Sequence, residues 1–149
     1  LLQVAWQASL LPLCVDIAQE KRQTAGKQSA ELLQHLLKQN GFSLCKGFVG
    51  HSIGRDIHEE PLVPYQPEVC VFPGQNKPEE EKVFCWEPVI TTGNGVVRQE
   101  PDGSYFTVDN QPAAQFEHMF LIDSTEIQIL NIAKKEIQSG KLFHSRPPW

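Results

Sequence analysis

Methionine, paired cysteines, basic charge and long apolar runs are all scarce in this chain of 149 residues. No methionine opens it and the only one is Met119, so Leu1 is not read as a natural start. An upstream segment is expected to hold further domain structure or a targeting sequence. Cys14, Cys45, Cys70 and Cys85 form no CxxC pair and are too sparse for a disulfide scaffold. They read as free thiols in a reducing compartment, cytoplasmic or organellar (mitochondrion or plastid) rather than secreted. No apolar run approaches the roughly 20 residues that span a bilayer, so no membrane partner is expected. A net charge of -5 leaves no basic footprint, which argues against direct nucleic-acid binding.

What is present is ordinary for a globular protein, with 40% apolar and 21% charged residues. The expected division is one domain over residues 1–130 and a polar tail over 131–149. Leu1 to about Gln19 is apolar at helical spacing (Leu2, Val4, Ala5, Ala8, Leu11, Val15), with a kink at Pro12. Lys21 to Gln28 is polar and its Gly26 marks a loop. From Ser29, the stripe Leu32, Leu33, Leu36 and Leu37 predicts a second helix, stopped at Asn40-Gly41. Phe42 to Val49 reads as an extended lead-in, and the proline-rich run from Pro61 to Lys82 as a long surface loop in which Glu79, Glu80 and Glu81 form a solvated face. Strands are predicted at Val83–Thr91, Val96–Gln99, Tyr105–Val108, Gln115–Asp123 and Glu126–Leu130.

Chemistry concentrates in GHSIGRDIHEEP, Gly50 to Pro61, which sets His51 and His58 on either side of a glycine-flanked turn and follows them with Glu59 and Glu60. Gly50 and Gly54 would allow positive φ or close approach to a bound group. Imidazole is the commonest metal ligand and the usual proton carrier near neutral pH. FCWEP (Phe84 to Pro88) and AAQFEHMFLI (Ala113 to Ile122) each place one glutamate in an apolar, aromatic-rich run. A carboxylate there is expensive to bury unless it is paired or bound to a cation. His51, Glu87 and Glu117 therefore look like a metal site, whose mixed imidazole and carboxylate donors suit Mn, Fe, Co or Zn. Period-2 alternation puts Cys85 on the face of Glu87, as a small buried hydrophobe first and a pocket-lining residue second. The same rule turns His118 away from Glu117.

These three motifs, in this order, closely resemble those of the C-terminal half of type I methionine aminopeptidases, which read approximately GHGIGRxxHExP, FTIEP and SAQFEHT. The resemblance runs from about Glu31 to Leu130. It implies an α+β pita-bread fold, an antiparallel sheet with covering helices, of which the C-terminal half to two-thirds is present. It also implies a dinuclear hydrolase that removes the initiator methionine from nascent proteins, with the ribosome as a further partner. By position, His51 and Glu87 would bind one metal, Glu117 would bridge two and act in catalysis, and His58 would contact the scissile peptide. Ile57, Cys85 and Tyr105 or Phe106 would contribute to the apolar methionine pocket. The resemblance implies two divalent ions in a complete site and at most one from this chain. Family members carry two metal-binding aspartates upstream, which nothing before His51 matches; Asp16 has no partner aspartate. The family's Thr after FEH is Met119 here, and the Thr-Ile of FTIEP is Cys85-Trp86. Two other readings stand beside the enzyme: an inactive pita-bread relative acting as a binding or structural component, and a proline dipeptidase.

Overall fold

The computed structural model describes residues 1–15, 17, 19–77 and 79–132. Asp16 and nearly all of the expected 131–149 tail lie outside the described residues. Helix α1 (Leu2–Ser9) is followed by 3-10 turns at Leu11–Cys14 and Gln19–Thr24 and then by helix α2 (Ala25–Asn40). The strands are β1 (Ser43–Leu44), β2 (Gly50–Ile53), β3 (Glu59–Val63), β4 (Lys82–Trp86), β5 (Ile90–Thr91), β6 (Val97–Gln99), β7 (Tyr105–Thr107), β8 (Ala113–Ala114), β9 (His118–Ile122) and β10 (Ile127–Ile129). Among the described residues every strand pairing is antiparallel.

A five-stranded sheet runs β10-β9-β4-β2-β3 and a three-stranded sheet runs β1-β5-β8, while β6 and β7 form a separate ribbon. The chain crosses between the two larger sheets three times: β1 to β2, β4 to β5 through Glu87-Pro88-Val89, and β8 to β9 through Gln115-Phe116-Glu117. This corrects the single strand expected over Val83–Thr91. Pro88 has no N–H to give a central ladder, so pairing stops at Trp86 and resumes at Ile90 in the other sheet. For the same reason of changed partners, the strand expected over Gln115–Asp123 begins only at His118.

Alternation along β4 and β9 builds the core. Phe84, Trp86, His118, Phe120 and Ile122 are all buried. Phe84 stacks on Phe72 and on Phe120 at centroid distances of 4.5 and 5.6 Å, and Trp86 meets Tyr65 edge-on at 4.8 Å. Burying such a side chain is worth roughly 1.5–3 kcal/mol, so this stack dominates the cohesion of the sheet with its helices. The Trp86 indole N–H donates to the Ala8 carbonyl at 2.9 Å, tying α1 to the sheet, and His118 Nδ1 lies 3.0 Å from Ser9 Oγ. His118 thus belongs to the helix-covered face.

Three other expectations change. Pro12 ends the first helix rather than kinking it, since a proline is best tolerated in the first turn of the 3-10 segment where no N–H is required. Gly26 lies inside α2, not in a loop. A Cβ there would stand 2.6 Å from the Cys70 carbonyl oxygen, so glycine lets the helix press against the chain that crosses it. That chain is the expected surface loop, yet Tyr65, Cys70 and Phe72 are buried core residues. Its fixing device is Gln75: its side-chain oxygen accepts from the N–H groups of Gly26 and Phe72, and its amide donates to the Gln23 carbonyl. Arg22 adds bonds to the Gln75 and Gly74 carbonyls at 3.1 and 2.9 Å. Gly41 closes α2 with φ 66°, as the Asn40-Gly41 pair predicts.

Candidate metal centre

The opposite face of the five-stranded sheet carries the chemistry. His51 on β2 pairs with Cys85 on β4, and Cys85 pairs with Met119 on β9. Paired residues share a face, so the His51 and Cys85 side chains stand side by side. Trp86 pairs with His118 at the end of the ladder, and one further step brings Glu87 and Glu117 opposite one another at the point where both strands leave for the other sheet. The carboxylates therefore sit at a seam between sheets, where the strands splay and side chains gain room. Gly50 permits the close approach of β2 and β4, because a Cβ there would overlap the Cys85 carbonyl. Neither Gly50 nor Gly54 has positive φ.

The distances are short. His51 Nε2 lies 3.1 Å from Glu87 Oε1, and the ligand atoms of His51, Cys85 and Glu117 all lie within 4.8 Å of one another. The His58 ring lies 4.3 Å from that of His51, centroid to centroid. A register shift in the β2–β3 pairing falls between His51 and Ser52, and His51 Nδ1 lies 2.9 Å from the Ser52 carbonyl oxygen. The His51 ring is thus held between the Ser52 carbonyl on its Nδ1 side and Glu87 on its Nε2 side. Glu87 Oε2 accepts from the Gln115 side-chain amide at 2.6 Å, and the Glu87 N–H donates to the Tyr65 hydroxyl at 3.2 Å. His51 and Cys85 are buried, Glu87 is half-buried, and Glu117 and His58 are exposed at the rim.

Electrostatics push the same way. Burial raises the Glu87 pKa above the usual carboxylate range, and the Glu117 charge raises it further, outweighing the opposing pull of His51, His58 and Gln115. Burial pushes the Cys85 thiol up to about 12, reinforced by a hydrogen bond with Glu117 and by the charges of Glu117 and Glu87. Two carboxylates and an imidazole face one partly buried point. A divalent cation there would neutralise the Glu87–Glu117 repulsion and engage the Nε2 lone pair, so these residues fit a metal ion.

The structure brings together His51, His58, Glu87 and Glu117. It leaves Ile57, Tyr105 and Phe106 more than half exposed to solvent, with Tyr105 edge-on to Phe48 at 5.0 Å. Sequence reasoning placed Cys85 on the correct face but missed its nearness to His51, because cross-strand register is not written in either strand alone. It also missed Gln115 and Tyr65 as the groups that hold Glu87. The polar Gln two residues before Glu117 was the available signal for the first.

A split two-sheet architecture carries a mixed imidazole and carboxylate cluster at its seam, a donor set that fits a divalent metal ion. The profile of metallopeptidase family M24 matches residues 13–124, well over half the chain, and the chain belongs to this family. Human mitochondrial methionine aminopeptidase 1D is 38% identical over 99 residues, covering 66% of this chain and 28% of that protein. The methionine aminopeptidase of Buchnera aphidicola (strain APS) is 35% identical over 120 residues, covering 76% and 42%. That of Escherichia coli K12 is 30% identical over 117 residues, covering 75% and 42%. Among solved structures, the methionine aminopeptidase of Thermotoga maritima superposes with a TM-score of 0.65 at 24% identity, covering 85% of this chain and 49% of that one. The fold is thus the pita-bread architecture that the motifs implied. The chain spans well under two thirds of the length of these relatives and about half of that solved chain. Family membership implies use of a divalent metal. Among the described residues no helix is long and apolar enough to cross a membrane.

Proposed function

We propose that this chain forms the metal-bearing portion of a methionine aminopeptidase, a hydrolase that removes the N-terminal methionine of nascent chains as they meet it at the ribosome. The observation that carries the reading is the 3.1 Å approach of His51 Nε2 to Glu87 Oε1 on the face that also presents Glu117. His51, Glu87 and Glu117 would hold a divalent ion of the Mn, Fe, Co or Zn kind. When bound, such an ion lowers the pKa of water and polarises a carbonyl. Glu117, exposed at the rim, would orient the attacking water and accept its proton. His58, with its ring against that of His51, would donate a hydrogen bond to the scissile amide as negative charge develops. Ile57, Cys85 and Tyr105 would line the approach of the methionine side chain. The reducing compartment read from the cysteines and the mitochondrial relative both support a cytoplasmic or organellar setting. His51, Glu87 and Glu117 leave a sparse shell for a second ion, so the 149 residues alone should release little methionine.

The test is a chimaera in which residues 31–130 replace the matching segment of the Escherichia coli protein. Release of methionine from methionyl peptides is expected, and its loss on His58→Ala or Glu117→Gln. A folded, metal-loaded chimaera without release would contradict the proposal.

A further inference from the structure

Cys85 is the donor at this site that the proposed hydrolysis leaves without a bonding role. It lies at the centre of the sheet, with His51 beside it on β2 and Met119 beside it on β9, and only 1% of its surface is exposed. Its Sγ, a His51 ring nitrogen and a Glu117 carboxylate oxygen lie within 4.8 Å of one another. Donors around one tetrahedral ion with bonds of about 2.0–2.3 Å stand roughly 3.3–3.8 Å apart. Side-chain rotation can close that difference, with His51 and Cys85 brought side by side by strand pairing and Glu117 exposed at the rim. From this juxtaposition we infer that Cys85 is itself a ligand of the ion held by His51 and Glu117, making this a borderline-soft site that prefers Zn2+, Cd2+ and Co2+ to Mn2+ and Mg2+.

The inference rests on the metal-site reading above and changes its chemistry. Nitrogen and oxygen donors alone favour harder ions, and one thiolate moves the preference toward softer ones. On binding, the S–H bond is broken, the sulfur keeps the electron pair for the metal, and the proton passes to solvent.

Cadmium distinguishes the possibilities, because a thiolate ligand gives an ultraviolet charge-transfer band that imidazole and carboxylate cannot. The experiment titrates the 149-residue chain carrying Cys14→Ser, which removes the exposed thiol, with Cd2+ and separately with Mn2+. The expected result is a band that saturates at one ion per chain. Adding Cys85→Ser should abolish the band and weaken Cd2+ binding by on the order of tenfold or more, while Mn2+ binding changes little. Cadmium-113 resonance of the Cys14→Ser chain, shifted downfield by one sulfur, gives the same answer if the double variant fails to fold. Cd2+ binding with no band, or a band that survives Cys85→Ser, overturns the inference and leaves the metal site standing. No binding of either ion overturns both.

Discussion

Across the five-stranded sheet, the face beneath the helices is a buried aromatic stack of Phe72, Phe84, Trp86 and Phe120, whereas the opposite face gathers His51, Cys85, Glu87 and Glu117. The two are built by alternate residues of the same strands. On β4, Phe84 and Trp86 go to one side and Cys85 to the other, with Glu87 following where Pro88 ends the ladder. The stack gives the sheet its rigidity, and the open face borrows it. His51 and Cys85 are placed by register, and Glu87 by Gln115 and Tyr65. A donor set held by such a scaffold loses little entropy on binding, which is what preorganisation means physically.

Breaking the stack should have the largest effect. Trp86→Ala removes a fully buried indole and its bond to Ala8, and should cost about 3–5 kcal/mol in urea unfolding, with loss of metal binding only as a consequence of unfolding. Gly50→Ala strikes the joint between the faces, since its Cβ would meet the Cys85 carbonyl. It should cost about 1–3 kcal/mol and also weaken metal binding in the fraction that stays folded, as read by calorimetry.

Glu87→Gln sharpens the contrast by having the opposite sign. The folded state raises the Glu87 pKa, first through burial and then through Glu117, so folding favours the protonated form. That contribution is present below the ordinary carboxylate pKa and is lost as pH rises through the raised value. Without metal, the glutamine variant should melt above the parent at neutral pH and converge with it in acid. Added divalent ion should stabilise the parent more than the variant, because the Gln side chain brings no negative charge to the ion. Thermal melts across pH with and without metal would show both trends.

The motif residues were legible in the sequence because carboxylates and histidines in apolar runs have few inexpensive explanations. The second helix and its Gly41 stop were legible for local reasons, namely stripe and cap. What escaped depends on partners distant in the chain. Gly26 reads as a loop until Cys70 is seen packed against it, and Tyr65 and Phe72 read as surface until Gln75 is seen anchoring their segment to α2. The seam itself escaped: Pro88 was visible, but a strand changing sheets looks in sequence like a strand continuing. Cys85 shows the limit most sharply, because its face follows from period 2 while its neighbours follow from register.

The most direct test of the open face is calorimetric titration of the 149-residue chain with Mn2+ or Co2+, run beside His51→Ala. His51 Nε2 meets Glu87 at 3.1 Å, so its removal takes away the imidazole donor at the centre of the set and should reduce binding below detection for Mn2+ or Co2+. One ion bound weakly by the parent chain and none by His51→Ala is the predicted result; undiminished binding by His51→Ala, or tight binding of two ions by the parent, would contradict it.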